Sequence, residues 1–352
     1  MTKHKVDYMI VGLGLAGIAF AEELKKQHKS FVVFENGSQT SSLVAGGMYN
    51  PVILKRFTPV WNAKEQLQIA IPFYKDLEAK LAANFDQAIA IYRTFKSIEE
   101  QNNWFVASDK PALQEFMDPE LVDVASKAVV APYKAGKLHQ TGRIKVKDLV
   151  KAYREHLKEE DCLIDATFRH ENVITWDSHV EYLNFQAERI VFCEGNGLRQ
   201  NRFFNKLPLN GTKGELITIH APDLKLNEVI KSAVFIMPLG DDLYKVGATF
   251  NWSDKSNEPT EEGKKELEEK LRTVINCPYE VVDHEAGVRP TTGDRRPLIG
   301  VHPDNSRLAV LNGLGTRGVM IAPLMAKKLF QYLENNVALD KDIDITRFKS
   351  KL

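Results

Sequence analysis

The stretch from Val6 to Gly17 limits more than any other what this chain can fold into. It begins as a short apolar run, places glycines at 12, 14 and 17, and continues in the helical pattern Ile18 to Gln27. A second apolar run, Phe31 to Phe34, ends on Glu35. A strand, a glycine turn, a helix, a second strand and a terminal acid in this order predict the start of a parallel sheet that binds a dinucleotide.

Each residue of this segment has a separate physical task. Gly12 permits the tight turn, Gly14 lets the backbone approach a pyrophosphate, and Gly17 lets the helix pack close to the strand. The free N–H groups at the start of the helix would hold the pyrophosphate. Glu35 can accept hydrogen bonds from ribose hydroxyls, and its charge would repel a 2′-phosphate, so the pattern predicts FAD or NAD rather than NADP. The predicted contacts of this segment are Gly12, Gly14, Leu15, Ala16, Gly17, Glu35 and Asn36.

Length and composition indicate a protein of about two domains. The chain has 352 residues, 43% of them hydrophobic, and its 47 basic residues balance 47 acidic ones. That balance gives no global argument for a nucleic acid or an acidic membrane, although a local basic groove stays open. The three cysteines are widely spaced, which favours a reducing, cytoplasmic location over a disulfide framework or a cysteine metal site. We interpret the apolar N-terminus as the first core strand rather than as a signal peptide, and we expect no membrane span.

The rest of the chain alternates between helical and β-rich blocks. Helices are predicted over Ala63–Leu81 (bent at Pro72), over Val146–Leu157, from Thr260 through Ile275, and from the glycine loop at 312–318 to about Leu333. Strands are predicted at Ile89–Phe95, Trp104–Ala107, Cys162–Phe168 and Val173–Trp176, from Arg189 onward, and at Glu215–His220, Ala233–Leu239, Leu243–Phe250 and Leu308–Leu311. Gly240-Asp241-Asp242 predicts a hairpin. The fold class is therefore α/β: a Rossmann-like dinucleotide-binding domain, the FAD-binding domain if the dinucleotide is FAD, with an inserted antiparallel-sheet (α+β) substrate domain. We predict that residues 1–80, 139–205 and 285–352 form the first domain, and residues 81–138 and 206–284 the second.

Taken together, these residues resemble the FAD-dependent oxidoreductases of the D-amino-acid oxidase and glycine oxidase superfamily over nearly the full length. The resemblance depends on an ordered set of motifs. They are the segment Val6 to Gly17 with Glu35 (the fingerprint), the serine and glycine loop at 41–47, Lys213-Gly214-Glu215, Gly247-Ala248-Thr249, Gly287-Val288-Arg289-Pro290 with Asp294 and Pro297, and the glycine loop at 312–318 (the C-terminal glycine loop). It implies FAD as the cofactor and oxidation of a carbon–nitrogen bond. No cysteine or histidine lies at a flavin-contact motif, so we expect non-covalent FAD.

The resemblance also implies residue roles. Besides the fingerprint, the positions that match cofactor contacts are Ser41, Ser42, Gly46, Gly47, Met48, Val173, Glu194, Gly195, Gly313, Gly315, Thr316, Arg317, Gly318 and Val319. The last group forms a glycine loop that opens a helix, and its N–H donors would face the negative charge of a reduced flavin.

The catalytic residues implied are two arginines. Arg289 matches the arginine that binds the substrate carboxylate in the glycine oxidase branch, with a structural salt bridge to Asp294 or another acid as the alternative. Arg317 would assist with an anionic group or pair structurally. Tyr49, Phe235, Tyr244 and Phe250 are candidate pocket walls, with a core position as the alternative for each. The histidines show no metal-ligand spacing, so no metal is expected.

Three functions stay open at this stage. The leading hypothesis is oxidation of a small amino acid or N-substituted glycine of the glycine, sarcosine or D-amino-acid type, with O2 or another electron acceptor. Gly315 to Leu324 and Gly47 to Pro51 also resemble the flavin domain of the bacterial enzyme that matures the carboxymethylaminomethyl group of tRNA wobble uridine. A tRNA partner therefore stays open as the second hypothesis, although the absence of net positive charge argues against it. A non-catalytic or electron-transfer flavoprotein is the third. The sequence leaves the oligomeric state unknown.

Overall fold

Two eight-stranded sheets organise the computed structural model, which describes residues 3–351. Within the described residues, the α-helices are α1 Leu15–Lys26, α2 Ser41–Val44, α3 Ala63–Leu81, α4 Ile98–Ser108, α5 Val146–Glu159, α6 Glu261–Leu271 and α7 Gly318–Asn335. The strands are β1 His4–Val11, β2 Phe31–Glu35, β3 Met48–Tyr49, β4 Val52–Ile53, β5 Thr58–Pro59, β6 Asp86–Ala88, β7 Ile91–Thr94, β8 Met117–Val122, β9 Ala135–Leu138, β10 Gly142–Ile144, β11 Leu163–Asp165, β12 Ile174–Thr175, β13 Val180–Tyr182, β14 Phe185–Phe192, β15 Thr212–His220, β16 Val229–Lys231, β17 Phe235–Gly240, β18 Leu243–Gly247, β19 Glu280–Arg289, β20 Leu298–His302 and β21 Asn305–Asn312.

The first sheet has a parallel core. Strands β11, β2, β1 and β14 lie side by side in that order, and β21 continues the parallel set beside β14. Helices α1 and α7 cover one face, where Ile18 and Met325 pack in the largest core cluster, and Met9 and Phe192 belong to a second cluster on the other face. Because parallel strands end at the same edge, the residues after β1, β2, β14 and β21 meet there. This edge brings the predicted cofactor residues of four chain segments together.

The second sheet is built almost entirely from antiparallel pairs. Its order is β19-β15-β18-β17-β16-β7-β9-β8, and only the pair β16–β7 among its named ladders is parallel. Helix α6 packs Leu267 and Leu271 against one face, in a third core cluster. Its strands come from residues 91–138 and 212–289. The domain boundaries inferred from the sequence stay a prediction.

Local signals set several elements where the sequence predicted them. Helix α3 has the predicted bounds and continues through Pro72. The turn after β17 places Asp241 and Asp242 in the left-handed region, with φ of 52° and 56°, which suits the twist of a tight hairpin. Thr260 caps α6, since its hydroxyl accepts a hydrogen bond from the N–H of Gly263 at 3.0 Å. The α6 helix ends at Leu271, before the predicted Ile275.

The predicted strand at Trp104–Ala107 is wrong, because these residues lie within α4. Ser97 caps that helix by accepting a hydrogen bond from the N–H of Glu100 at 3.3 Å. Trp104 is fully buried and packs edge-on against Phe57 and Phe95. The aromatic and β-branched residues that suggested a strand therefore belong to a helix whose buried side is fixed by tertiary contacts.

Among the described residues, no helix combines the length and apolar character needed to cross a membrane.

Candidate active site

A cavity of about 850 Å³ lies between the carboxyl edge of the first sheet and one face of the second. Its size is in the range of cofactor and substrate pockets. The first sheet contributes the segments after β1, β2, β14 and β21, and the second contributes residues of β15, β16, β17 and β19. Predicted site residues that line the cavity are Gly12, Gly14, Leu15, Ala16, Glu35, Ser41, Ser42, Gly46, Gly47, Met48, Glu194, Gly195, Phe235, Phe250, Arg289, Gly315, Thr316, Arg317, Gly318 and Val319.

The glycines of the N-terminal fingerprint fit the backbone so closely that side chains would collide. A Cβ on Gly17 would lie 2.0 Å from the carbonyl oxygen of Gly12, so the helix can approach the strand only without a side chain there. Gly12 itself has a φ of +99°, and its Cβ would lie 2.6 Å from the carbonyl oxygen of Cys193. The turn and the close packing expected from the sequence are both present. Gly17 does not line the cavity itself, but it lets α1 pack close to β1 and so sets the position of the cavity wall.

Two helices begin at the cavity without a side-chain cap from their own N-cap residues, and the N–H of Leu15 in α1 donates to Oγ of Ser42 at 3.4 Å. Neither Gly14 at the start of α1 nor Arg317 at the start of α7 supplies a side-chain cap, and the first turn of each helix has no acidic residue. The two starts touch, since a Cβ on Gly318 would lie 3.1 Å from the side chain of Leu15. Helix N-termini carry free N–H donors and the positive end of the helix dipole. Two of them at one cavity form a site that favours anionic groups.

Glu35 is anchored at the end of β2. Its carboxylate accepts hydrogen bonds from the backbone N–H of Leu13, at 2.6 Å, and of Gly37. An ionised carboxylate has about four acceptor positions, so capacity for further donors is left. The side chain lines the cavity beside the start of α1. This geometry suits a ribose diol.

The loop from α2 to β3 lines the cavity next to the second sheet. Gly47 has a φ of +72°, and a Cβ there would lie 1.9 Å from the carbonyl oxygen of Ile144. A Cβ on Gly46 would come into ordinary contact with the ring of Phe235 at 3.5 Å. At the opposite wall, Gly315 has a φ of +59° with open space where a Cβ would point. Bare backbone therefore borders the cavity on two sides.

These features fit an FAD molecule. The cradle of the fingerprint, the two helix starts and Glu35 match a pyrophosphate, a second electron-rich group and a ribose. In the glycine loop at 313–318, the N–H groups of Gly313, Gly315 and Arg317 donate within the protein, and those of Leu314, Thr316 and Gly318 would be the donors for a flavin ring.

Arg289 lies at the end of β19 and lines the cavity. Its guanidinium lies over Gly214, where a Cβ would be only 1.8 Å from Nη2, and 4.7 Å from the ring centre of Phe250. Nη1 donates to the carbonyl oxygen of Thr249 at 3.2 Å. Burial lowers the pKa of Arg289 from 12.5 to about 10.

The alternative of a salt bridge between Arg289 and Asp294 is wrong in this structure. Asp294 instead accepts a hydrogen bond from Nε of Arg347 at 2.9 Å. Among the described residues, no carboxylate lies within salt-bridge distance of Arg289. A partly buried guanidinium with no acidic partner retains donors for an anion from solution.

Arg317 also lines the cavity, at the start of α7. Burial lowers its pKa, and the nearby Arg295 lowers it further. No carboxylate contributes to that shift within the described part of the chain. The second predicted arginine therefore adds positive potential on the side of the C-terminal loop.

Besides Gly17 and Asn36, four predicted residues do not line the main cavity. Tyr244 is 3% exposed and packs in the third core cluster, where its hydroxyl accepts a hydrogen bond from the N–H of Leu226 at 3.3 Å. The hydroxyl of Tyr49 donates to Asp86 at 2.8 Å. For both tyrosines the core alternative applies. Val173 packs in the second core cluster, and Gly313 lies in the turn before the lining residues.

Asn36 and Glu194 border a smaller cleft next to the end of β2. The amide of Asn36 donates to the hydroxyl of Thr167 at 3.2 Å. Glu194, which also lines the main cavity, is held by His170 and Asn201, each at 2.7 Å. This cleft adjoins the main cavity at Glu35 and Glu194, which line both.

The sequence reasoning missed several cationic lining residues. Lys231 lies on β16 in the second sheet, and Lys147, Lys151 and Arg154 lie on one face of α5. The spacing of the α5 residues, four and then three, could have revealed a basic helix face. No sequence signal singles out Lys231, because its side of the strand is set by the packing of the sheet.

The fold and the cavity define a class of two-part flavin-binding enzymes, in which a dinucleotide-binding sheet faces a second, mostly antiparallel sheet. Residues 7–332 match the family model described as FAD dependent oxidoreductase (DAO). The chain belongs to this family of FAD-dependent oxidoreductases.

Relatives of this chain include enzymes with named substrates. A glycine oxidase of Bacillus subtilis is 26% identical, with 91% of each chain covered. The tRNA 5-methylaminomethyl-2-thiouridine biosynthesis bifunctional protein MnmC of Marinobacter nauticus is 23% identical over 91% of this chain, which spans 54% of that protein. The crystal structure of glycine oxidase from Geobacillus kaustophilus superposes with a TM-score of 0.79 at 20% identity and covers 98% of both chains. That last likeness concerns the fold.

Proposed function

We propose that this protein oxidises the carbon–nitrogen bond of a small amino acid or N-substituted glycine, of the glycine, sarcosine or D-amino-acid type. The observation that carries the proposal is Arg289, a partly buried guanidinium that lines the cavity and has no acidic partner among the described residues. Arginine binds carboxylates through two parallel hydrogen bonds, which fixes the orientation of the substrate as well as its position. The named substrate of the glycine oxidase relatives supports a carboxylate next to the reacting carbon.

The protein's part in this reaction is to bind and orient. Bound FAD supplies the acceptor for two electrons and a proton, taken together as hydride. In the substrate, the Cα–H bond breaks, the nitrogen lone pair forms a C=N bond, and water then hydrolyses this imine to an oxo acid and an amine. Arg289 fixes the carboxylate, and the apolar wall that includes Phe235 and Leu216 excludes water beside the reacting carbon. The start of α7 favours negative charge on the cofactor side of the cavity.

The first test is an anaerobic visible spectrum of the flavin-loaded protein, titrated with glycine, sarcosine, D-alanine and D-proline. We expect one of these amines to bleach the oxidised-flavin band, and the same amine to give an oxo acid in product analysis. A flavin that dithionite reduces but no amine or amino acid reduces would contradict the proposal and favour an electron-transfer role. Readmitting air or an artificial acceptor then shows which electron acceptor the protein uses.

A second candidate is the carboxymethylaminomethyl group of tRNA, itself an N-substituted glycine. It is supported by the MnmC relatives and by the basic face of α5, where Lys147 and Lys151 are exposed next to the cavity. Phosphate contacts supply most of the affinity in nucleic-acid binding. Bleaching of the flavin by a carboxymethylaminomethyl-modified tRNA, with no bleaching by sarcosine, would favour this candidate over the first.

A further inference from the structure

Lys231 lines the same cavity as Arg289 and Arg317 and, like them, has no acidic partner in the part of the chain that the structure describes. It ends β16, where it pairs with Phe235 on one side and with Arg93 on the other. Its side chain is partly buried and lines the cavity together with Val229 and Phe235. This position is in the second sheet, apart from the fingerprint and from the C-terminal glycine loop.

The surroundings of Lys231 leave its charge uncompensated. Burial, together with the positive charges of Arg93 and Lys270, lowers the pKa of Lys231 from 10.5 to about 8. Those two neighbours have acids of their own, Glu100 for Arg93 and Glu266 for Lys270. Within the described residues, no carboxylate is found within salt-bridge distance of Lys231. An ammonium buried without a counter-charge is unfavourable, and an anionic ligand in the cavity would compensate its charge.

The sheet fixes how far Lys231 lies from Arg289. The guanidinium of Arg289 lies over Gly214 on β15, and the order β15-β18-β17-β16 puts three strand spacings between that point and Lys231. Three spacings are about 14 Å, and Gly214 lies two residues, about 7 Å, along β15 from Leu216, the residue in register with Lys231, so the two backbone positions are about 16 Å apart. Because side chains stand roughly perpendicular to a sheet, the two cationic groups keep about this separation, and an ion pair of about 4 Å at each end leaves a gap of about 8 Å between the two anionic carbons of a ligand. Glycine and sarcosine are too short to bridge this gap. An N-substituted glycine with an extended tail of about three carbons and a terminal anion matches it.

We propose that Lys231 binds a second anionic group of the substrate, so that the preferred substrate is an N-substituted glycine whose nitrogen substituent ends in a carboxylate or a phosphate. This inference rests on the proposed function, because Arg289 is taken to hold the glycine carboxylate. Arg289 and Lys231 then bind the two ends of one molecule, and the apolar residues between them contact its tail. A carboxylate and a phosphate share this chemistry.

The test compares two tails of equal size on the flavin-loaded enzyme. N-carboxypropylglycine has a carboxylate at the end of its tail. In N-isohexylglycine, two methyl groups stand where that carboxylate has its two oxygens, so the tail keeps its size and loses its charge. We expect the wild type to prefer the anionic tail and Lys231→Met to lower kcat/KM for it by roughly 10- to 150-fold, the range for a hydrogen bond to a charged group. The value for N-isohexylglycine should change less than twofold. Lys231→Arg should restore most of the preference.

A matched control separates the site from general charge effects. Lys137 lies on β9 of the same sheet and pairs with Tyr92, which packs in the third core cluster on the opposite face. Lys137→Met removes the same charge and should leave the preference for the anionic tail unchanged. N-phosphonopropylglycine distinguishes the source of the anion: a larger effect of Lys231→Met on this compound indicates a phosphate-bearing substrate, and a larger effect on the carboxylate indicates a diacid.

Equal losses for both tails, or a loss of flavin without a change in preference, would overturn the inference. Titration calorimetry of both compounds with the wild type and Lys231→Met keeps this test independent of turnover. If no amine is oxidised but the anionic tail still binds more tightly through Lys231, the proposed reaction fails and the anion site stands. If oxidation proceeds and calorimetry shows no preference, the reaction stands and the anion site fails.

Discussion

Replacing Arg289 with methionine separates a ligand-binding arginine from a structural one, because the two roles predict opposite changes in stability. Burial lowers the pKa of Arg289 from 12.5 to about 10, so its charge is less favourable in the folded protein than in the unfolded chain. At pH 7 the group is charged in both states, and the cost is fully present below the folded pKa. At about 1.4 kcal/mol per pKa unit, the shift corresponds to roughly 3 kcal/mol of stability given up.

We therefore expect Arg289→Met to leave the free energy of unfolding unchanged or to raise it by up to about 3 kcal/mol. The methionine keeps contact with Phe250 but loses the hydrogen bond to Thr249, which offsets part of the gain. The same substitution should lower the catalytic activity. Losing a charge-assisted pair with the substrate carboxylate costs about 2–5 kcal/mol, a fall of roughly 30- to several-thousand-fold in kcat/KM.

The measurements are denaturant unfolding of the apoprotein, flavin content, and steady-state kinetics on a carboxylate substrate. Arg347→Met is the matched control, because Arg347 is paired with Asp294 and also donates to the carbonyl oxygen of Pro297 at 2.8 Å. That variant should lose about 1–3 kcal/mol of stability and keep its KM. If Arg289→Met instead loses stability as Arg347→Met does, with an unchanged KM, the carboxylate role is refuted.

Three further substitutions test other parts of the site. Gly214→Ala should displace the guanidinium of Arg289, since the new Cβ would lie 1.8 Å from Nη2, and raise KM at least about tenfold with the charge retained; a normal KM would contradict this placement. Glu35→Ala should weaken FAD binding by about 10- to 150-fold, measured by flavin fluorescence, and equal affinity would show that Glu35 does not hold the ribose. Lys231→Met should raise the free energy of unfolding by up to about 3 kcal/mol at pH 7. This gain should shrink as the pH rises from the folded pKa of about 8 to the unfolded value of 10.5, because the lysine then loses its charge in the folded protein first. A gain that is the same at pH 7 and pH 10 would argue against a buried charge.

The parts of the site that were predictable depend on backbone chemistry. The backbone has no space for a Cβ at Gly12 or Gly17, so both positions require glycine, and the local sequence shows this requirement directly. Glu35 follows β2 directly, so its place at the ligand edge comes from the topology of a parallel sheet. The family model and the structural relatives agree with this interpretation of the fold.

The parts that were not predictable depend on which face of a strand is covered. Alternation along β18 groups Tyr244 with Val246, but it does not say whether that group meets the cavity or α6. Phe235 and Tyr244 were equal candidates from sequence, and only the packing of α6 separates them. Lys231 was missed for the same reason.

Charge shows most clearly why composition and site have to be considered separately. The chain is neutral overall, and that balance argued against a phosphate-bearing partner. Yet many acids are engaged away from the cavity, as Glu334 is with Lys29 and Arg189, whereas Arg289, Arg317 and Lys231 have no acid to pair with among the described residues. Within a cavity walled by apolar residues, such charges are screened less than at the surface, so they attract anions that the net charge would not predict. A neutral chain therefore holds an electropositive cavity.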